Sequence, residues 1–330
     1  MIYFIFLVAA AATIFLSIKI SNYVDVIDKK STLKAAILGV LLGGATSLPE
    51  VTTSVTSIVI DNPDIAVGNV MGSNLFNLMI LAVMDAIFRK ERIFNHATNE
   101  NLYTMGLFML LSLTVVVAII FPMPPAFFGV GWESIAMVAM YIAGIKLISK
   151  ANTDHSQRKA ETGQEESYGA YKNITLKRAV IGFILSAILI LAAGSALTIS
   201  ADKIAVITGL GSSFVGTFLV AASTSLPEAV SVLVAVKLRN YPLAIGSILG
   251  SNLFNLMILV GTDVLYWKQA ILQAVNNTHA ITTLSAMALG LVAIYPIIRV
   301  QVKNTLTYIM PSVLIMIAYF VSSYLIYIYS

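Results

Sequence analysis

Long apolar runs alternate with short polar interruptions along the whole chain. Ten runs reach or approach the roughly 20 residues that cross a bilayer as a helix. They cover about 2–20, 33–60, 64–88, 102–121, 127–149, 178–200, 204–236, 241–266, 280–298 and 306–328. The pattern predicts an all-α polytopic membrane protein of ten transmembrane helices. The second and seventh runs are long for one crossing, and each carries a proline inside a polar patch, Pro49 and Pro227. Proline lacks a backbone N–H and clashes with the preceding turn, so both helices are expected to break or kink there. No small-residue cleavage site follows the first run, which reads as a permanent helix rather than a removed signal peptide.

Composition agrees with the pattern. Of 330 residues, 58% are hydrophobic and only 11% charged, too few charges to cover a soluble domain. With no cysteine there is no disulfide, thiolate metal site or cysteine nucleophile. His96, His155 and His279 lie far apart, in what read as polar stretches, and suggest no zinc site.

The net charge of +4 invites a nucleic-acid reading, but the distribution argues for membrane topology. Eighteen of the 20 Lys and Arg fall on one side of the predicted spans, from Lys19, Lys29 and Lys30 at the end of the first to Arg299 and Lys303 before the last. Only Lys203 and Lys268 fall on the other. By the positive-inside tendency the basic side is cytoplasmic. The chain is therefore expected in the cell membrane with both termini on the non-cytoplasmic side. The one long polar stretch, 151–176, is a cytoplasmic linker. It separates a five-helix unit at 1–150 from a second at 177–330.

These units are related in sequence. Residues 40–81 align without a gap on 218–259, at an offset of 178. The shared cores are Thr46-Ser47-Leu48-Pro49-Glu50 with Thr224-Ser225-Leu226-Pro227-Glu228, and the ten residues Gly72–Leu81 with Gly250–Leu259. Asp85 and Asp263 keep the same offset, near span ends, and read as interfacial caps or ion-entry residues. An odd number of spans per unit forces the second copy into the membrane from the opposite side. Inverted repeats of this kind are a common transporter plan, with the substrate site near the midplane.

Glu50 and Glu228 lie deep inside spans, where an ionised carboxylate is costly and marks function by default. No Lys or Arg lies within ten residues of Glu50, so cations or protons are the natural counter-charges. Hydroxyls and amides surround them at helical spacing: Thr46 and Ser47 before Glu50, Ser73 with Asn77, Thr224 and Ser225 before Glu228, Ser251 with Asn255. Pro49 and Pro227 free carbonyls near Ala45 and Ser223. Gly43 and Gly44 permit close backbone approach. A set of carboxylate, amide, hydroxyl and carbonyl without imidazole or thiolate selects Na⁺, Ca²⁺ or Mg²⁺, and Ca²⁺ best tolerates an irregular oxygen cage.

These residues resemble the signature of the cation/calcium antiporter superfamily, and within it the sodium/calcium exchanger branch. That family carries a G-T-S-x-P-E type motif in spans 2 and 7 and a G-S-N-x-x-[N/D] type motif in spans 3 and 8. The resemblance implies Na⁺/Ca²⁺ antiport by a functional monomer with no cofactor, nucleic acid or enzymatic step. Glu50 and Glu228 would be the central ligands for both ions. Thr46 and Thr224 would add carbonyl and hydroxyl oxygens. Ser47, Ser73, Ser225 and Ser251 would line flanking Na⁺ positions with the carbonyls of Gly43 and Ala221, and Asn77 and Asn255 would sit between the glutamates. In such exchangers the first and sixth spans slide across the rest.

Two departures stand out. Ser223 replaces the usual Gly before Thr224-Ser225, and both second motifs end in Asn where relatives carry an acid in one or both halves. The Asn pair lowers the site charge to −2, which three Na⁺ would turn to +1, against the 3:1 exchange usual in the family. It also argues against potassium dependence. The absence of a glutamate in this motif favours Na⁺ over H⁺ coupling. Ca²⁺/H⁺ antiport remains the alternative. A channel fits a pseudo-symmetric monomer poorly, and the spans hold no Ser–His or close Asp pair for an intramembrane enzyme.

Overall fold

The computed structural model describes residues 1–30, 44–124, 129–152, 174–299 and 304–330. They form ten helices: α1 Ile2–Lys30, α2 Leu48–Val59, α3 Pro63–Ile87, α4 Asn99–Ile120, α5 Trp132–Asn152, α6 Leu176–Thr208, α7 Ser212–Lys237, α8 Tyr241–Leu265, α9 Thr278–Ile298 and α10 Thr305–Tyr329. All except α2 are long and apolar enough to cross a membrane. α2 is the described part of the expected second span, whose residues 33–43 lie outside the described residues. The chain is thus an all-helical, multi-pass membrane protein built as two inverted five-helix units.

The proline expectations resolve differently in the two halves. Residues 44–46 are helical, Ser47 is a turn, and the helix restarts at Leu48 with Pro49 in its first turn. A proline is tolerated there because that N–H has no intrahelical acceptor. In α7, Pro227 sits within the helix, and the irregularity lies further back, in a π-helical segment over Val215–Val220. α6 runs on past the expected end near 200 to Thr208. About two further turns, including the apolar Ile204, Ala205, Val206 and Ile207, continue the helix until Gly209 caps it at φ 70°.

The 178-residue offset extends into geometry that sequence identity does not mark. α2 and α7 both end in a left-handed residue, Asp61 and Arg239, each at φ 57°. Around them Asn62 N donates to Ser57 O at 2.8 Å and Asn240 N to Ala235 O at 2.9 Å, the wide bond of a Schellman motif. Asn62 and Asn240 then cap α3 and α8, accepting from Ile65 N and Leu243 N. Each antiparallel pair is therefore turned by the same four-residue device.

Asp85 and Asp263 also match across the repeat. Both are fully buried, at 0% and 1% exposure. Asp85 of α3 accepts from the Tyr308 hydroxyl and from Ser312 Oγ at 2.6 Å, both on α10. Asp263 of α8 accepts from Ser134 Oγ at 2.6 Å and Gly131 N at 2.9 Å, at the start of α5, and from Ile271 N at 2.7 Å. Ser134 and Ser312 keep the 178 offset. The fifth helix of each unit is thus pinned to the third helix of the other, and the two units interleave. This corrects the ion-entry reading: both carboxylates are spent on internal donors. Asp85→Ala would strand two buried hydroxyls and is expected to cost about 3 kcal/mol. Exposed Asp61, paired with Lys268 at 2.7 Å, should cost under about 1 kcal/mol when replaced by Ala. Thermal unfolding of the two variants in detergent checks this; equal losses would contradict the assignment.

α3 and α8 form the centre. Gly68 and Gly72 of α3 lie against the backbone of the π segment of α7, and a Cβ at Gly72 would land on Thr217. Small residues four apart allow this close crossing. The main apolar core joins α3, α4, α5 and α7 to α10. α1 and α6 lie beside it, packed on each other along most of their length. They join the rest through smaller clusters, such as Phe6, Leu197 and Ile204 with Ile65 and Val215. Their outer surfaces expose Phe4, Leu7, Phe15, Ile188 and Leu189, as a lipid-facing pair must. Trp132, Trp267, Tyr324, Tyr327 and Tyr329 are exposed near helix ends, where aromatic belts sit.

Candidate functional site

The polar residues of the repeated motifs are carried by α2, α3, α7 and α8. Glu50 follows the Ser47 break in α2 and is 1% exposed; Glu228 follows Pro227 in α7 and is 3% exposed. The two carboxyls lie close enough to act on one another electrostatically, and Glu50 lies beside Thr224 and Ser225 of α7. The acid of one unit thus meets the hydroxyls of the other. Among the described residues, no Lys, Arg or His is among the groups acting on either carboxyl.

Eight buried side-chain oxygens described on these helices have no hydrogen-bond partner in the protein: Glu50 Oε2, Thr53 Oγ1, Ser54 Oγ, Ser73 Oγ, Asn77 Oδ1, Thr217 Oγ1, Ser225 Oγ and Glu228 Oε2. A single orphaned acceptor costs about 1–3 kcal/mol, and a carboxylate more. These helices therefore gather unpartnered hard oxygens together with two acids, the donor types that suit hard cations. Among the described residues no group of three or more Asp, Glu, His or Cys gathers to hold a metal, so two carboxylates plus neutral oxygens are the whole donor class.

The remaining expected site residues are placed as follows. Ser47 and Thr224 are buried, Thr46 and Ser251 half-buried. Thr224 Oγ1 donates to Asn69 Oδ1 at 3.0 Å, and lies 3.3 Å from the carbonyl of Ala221, itself fully buried at the end of the π segment. Gly43 lies outside the described residues. The carbonyl freed by Pro227 is that of Ser223, whose own hydroxyl donates to Leu219 O at 2.7 Å.

Asn77 and Asn255 are bonded across the two units. Asn77 Nδ2 donates to Asn252 Oδ1 at 2.9 Å, and Asn255 Nδ2 donates to Asn74 Oδ1 at 3.0 Å. The offset of 178 exchanges these two bonds, so the pseudo-two-fold axis passes between them. Asn252 Nδ2 adds a longer bond, 3.3 Å, to Asn74 O. Four amides therefore clamp α3 to α8 at the centre of the molecule. Asn74 and Asn252 were legible in the identical ten-residue segments but had no assigned role. Asn69 and Thr217 carry no repeat signal, being matched by Ser247 and Gly39, and only packing brings them to the site.

The halves also differ. Beyond Glu50, α2 buries Thr52, Thr53, Ser54, Thr56 and Ser57, and Thr56 Oγ1 meets Ser195 Oγ of α6 at 2.9 Å. The matching positions beyond Glu228 are Val230, Ser231, Val232, Val234 and Ala235. At the face shared by the chain termini, Asn62 Nδ2 reaches Asp202 Oδ1 of α6 at 2.6 Å. There too His279 Nε2 pairs with Asp64 Oδ1 at 2.9 Å. His279 is not in a polar stretch, as its sequence neighbourhood suggested; it lies in the first turn of α9 with 0% exposure. Glu133 is 5% exposed beside Gly131, at the far end of α8 from Tyr241.

Comparison with known proteins bears on this arrangement. Residues 1–148 and 178–328 match the sequence profile of the family described as sodium/calcium exchanger protein. The inner membrane protein YrbG of Escherichia coli is 23% identical over 223 residues, 67% of this chain and 66% of that protein, a little under two thirds of its length. Among solved structures, the H⁺/Ca²⁺ exchanger CAX superposes with a TM-score of 0.69 at 13% identity, over 99% of this chain and 86% of that one. The sodium-calcium exchanger NCX_Mj superposes with a TM-score of 0.55 at 19% identity, over 97% of each chain. Those likenesses concern the fold. The profile match covers both five-helix units and leaves out the polar linker between them, and by it this chain belongs to the sodium/calcium exchanger protein family.

Proposed function

We propose that this protein is a secondary antiporter that exchanges Na⁺ for Ca²⁺ at one midplane site formed by α2, α3, α7 and α8. The observation that carries the reading is the pair of buried carboxylates, Glu50 and Glu228, each with an unpartnered oxygen and with no Lys, Arg or His acting on it among the described residues. A divalent ion would neutralise the pair, and the surrounding hydroxyl and amide oxygens would replace its water. Hard oxygen ligands of this kind suit Ca²⁺ and Na⁺ and disfavour thiophilic metals. All the ligands come from one chain, so a monomer suffices. The bound ions are cargo, and no cofactor enters the cycle.

Alternating access fits the packing. α1 and α6 form a two-helix body against the core, through small side chains such as Gly194, which lies against Thr52. Sliding that body along α2 and α7 would open the site to one face and then the other. The basic face carries Arg89, Lys90, Lys177, Arg178, Arg239 and Arg299, and we assign it to the cytoplasm, with both termini outside.

Coupling to H⁺ is the second reading, favoured by the closer superposition on CAX. The same two carboxylates would then carry protons outward. ⁴⁵Ca²⁺ uptake into proteoliposomes separates the readings. Uptake that requires internal Na⁺ and is indifferent to the pH gradient is expected. Uptake in Na⁺-free medium that follows the pH gradient would move the protein to H⁺ exchange at the same site.

A further inference from the structure

We infer that exchange by this protein is electroneutral: one divalent cation moves against two monovalent cations, and no net charge crosses the membrane per cycle. The inference deepens the proposed antiport and rests on it. It holds whether the monovalent ion is Na⁺ or H⁺.

The charge count comes from the geometry. Two carboxylates, Glu50 and Glu228, are the only ionisable side chains of the candidate site among the described residues. The two other central positions, Asn77 and Asn255, are amides, and their Nδ2 groups are committed to the reciprocal bonds with Asn252 and Asn74. These positions are neutral at every pH and are locked in place by one another. Asp85 and Asp263, the next acids along α3 and α8, are held by Tyr308 and Ser312 and by Gly131, Ser134 and Ile271. They are therefore withheld from the ion. A site of charge −2 becomes neutral with one divalent ion and neutral again with two monovalent ions. A third monovalent ion would leave +1 in a low-dielectric interior, where an uncompensated charge is expensive. Both loaded forms are then equally uncharged, and the membrane potential acts on neither.

The amide clamp also predicts how the count can be changed. In Asn255→Asp the donated bond to Asn74 is lost, and two acceptors face each other. Asn74 Nδ2 is buried with no partner, so rotating that amide presents an N–H to the new carboxylate. The variant keeps a bonded pair and brings the site to −3. Its exchange should need a third monovalent ion and become sensitive to potential.

The test uses the full chain in proteoliposomes with the potential clamped by K⁺ gradients and valinomycin. Equilibrium ⁴⁵Ca²⁺ accumulation is read at several potentials under a fixed Na⁺ gradient, and again under a fixed pH gradient. The expected result is an unchanged accumulation ratio in the wild type. If one net charge moved per cycle, about 59 mV would shift that ratio tenfold, and such a shift overturns the inference while leaving antiport standing. Asn255→Asp is expected to acquire that tenfold shift; a folded, transporting variant that stays potential-independent overturns the charge-count argument. No Ca²⁺ uptake under either gradient would overturn the antiport reading, and this inference with it.

Discussion

Glu50→Gln and Glu228→Gln should each abolish Ca²⁺ uptake while leaving the protein folded. Gln keeps the size of the side chain and removes one unit of charge, so a divalent ion at the site would retain a net +1. Leaving a buried charge unpaired costs about 3–5 kcal/mol, which at 1.4 kcal/mol per decade is a loss of roughly 100-fold or more in affinity. Stability should change little, because Glu50 Oε2 and Glu228 Oε2 make no hydrogen bond to the protein that the substitution would break. The measurement pairs ⁴⁵Ca²⁺ flux with thermal unfolding of the same preparation. Wild-type uptake in either variant would remove the central claim. An unfolded variant would instead mean that the carboxylates hold the helices together.

Gly72→Ala should be the most damaging substitution outside the carboxylates. A methyl at Gly72 would overlap the main chain of Thr217, and at Gly68 it would lie 3.1 Å from Ser213 O and Thr217 N. Backbone cannot rotate away as a side chain can, so α3 and α7 must separate. Overpacking a tight core costs typically about 1–3 kcal/mol, and a backbone clash belongs at or above the top of that range. Separation would also move Ser73 and Thr217 away from Glu50 and Glu228. Transport should fall together with the unfolding temperature. Gly106→Ala is the control: Gly106 is exposed on α4 with nothing within 4 Å, and Ala there should be neutral or stabilise by up to about 1 kcal/mol. Equal behaviour of the two variants would show that the α3–α7 crossing tolerates a wider spacing.

Much of the architecture is legible in the chain because the bilayer simplifies the code. A span must be helical, apolar and about 20 residues long, so α3, α4, α5 and α8–α10 appear within a few residues of their expected limits. The break before Pro49 agrees with a missing N–H, whereas α7 carries Pro227 inside the helix and places its irregularity at Val215–Val220. The misplaced ends of α1 and α6 have a physical cause as well. Lys19, Asp25, Lys29 and Lys30 interrupt the apolar run but not the helix, since a backbone hydrogen-bond ladder continues into the interface. Asp202 likewise ends the apolar pattern, yet Asn62 supplies it with a partner and the helix runs on to Thr208.

The sequence by itself determined the ten apolar helices, the inverted repeat, the two intramembrane acids and the hard-oxygen chemistry around them. These are local or periodic properties: hydrophobic length, an offset of 178, a carboxylate with no cation nearby in the chain. Tertiary structure alone decided which groups are available. Asp85 and Asp263 read as caps or ion-entry residues, and both accept from internal donors, Asp85 from α10 and Asp263 from the start of α5 and from Ile271. Asn77 and Asn255 read as ligands, and the structure shows them as a clamp, with partners 175 and 181 residues distant in the chain. Asn69, Thr217 and the buried His279–Asp64 pair join elements from opposite halves. Whether a polar atom is spent or spare depends on what the other repeat brings against it, and that meeting is set by packing across the pseudo-two-fold axis rather than by any spacing along the chain.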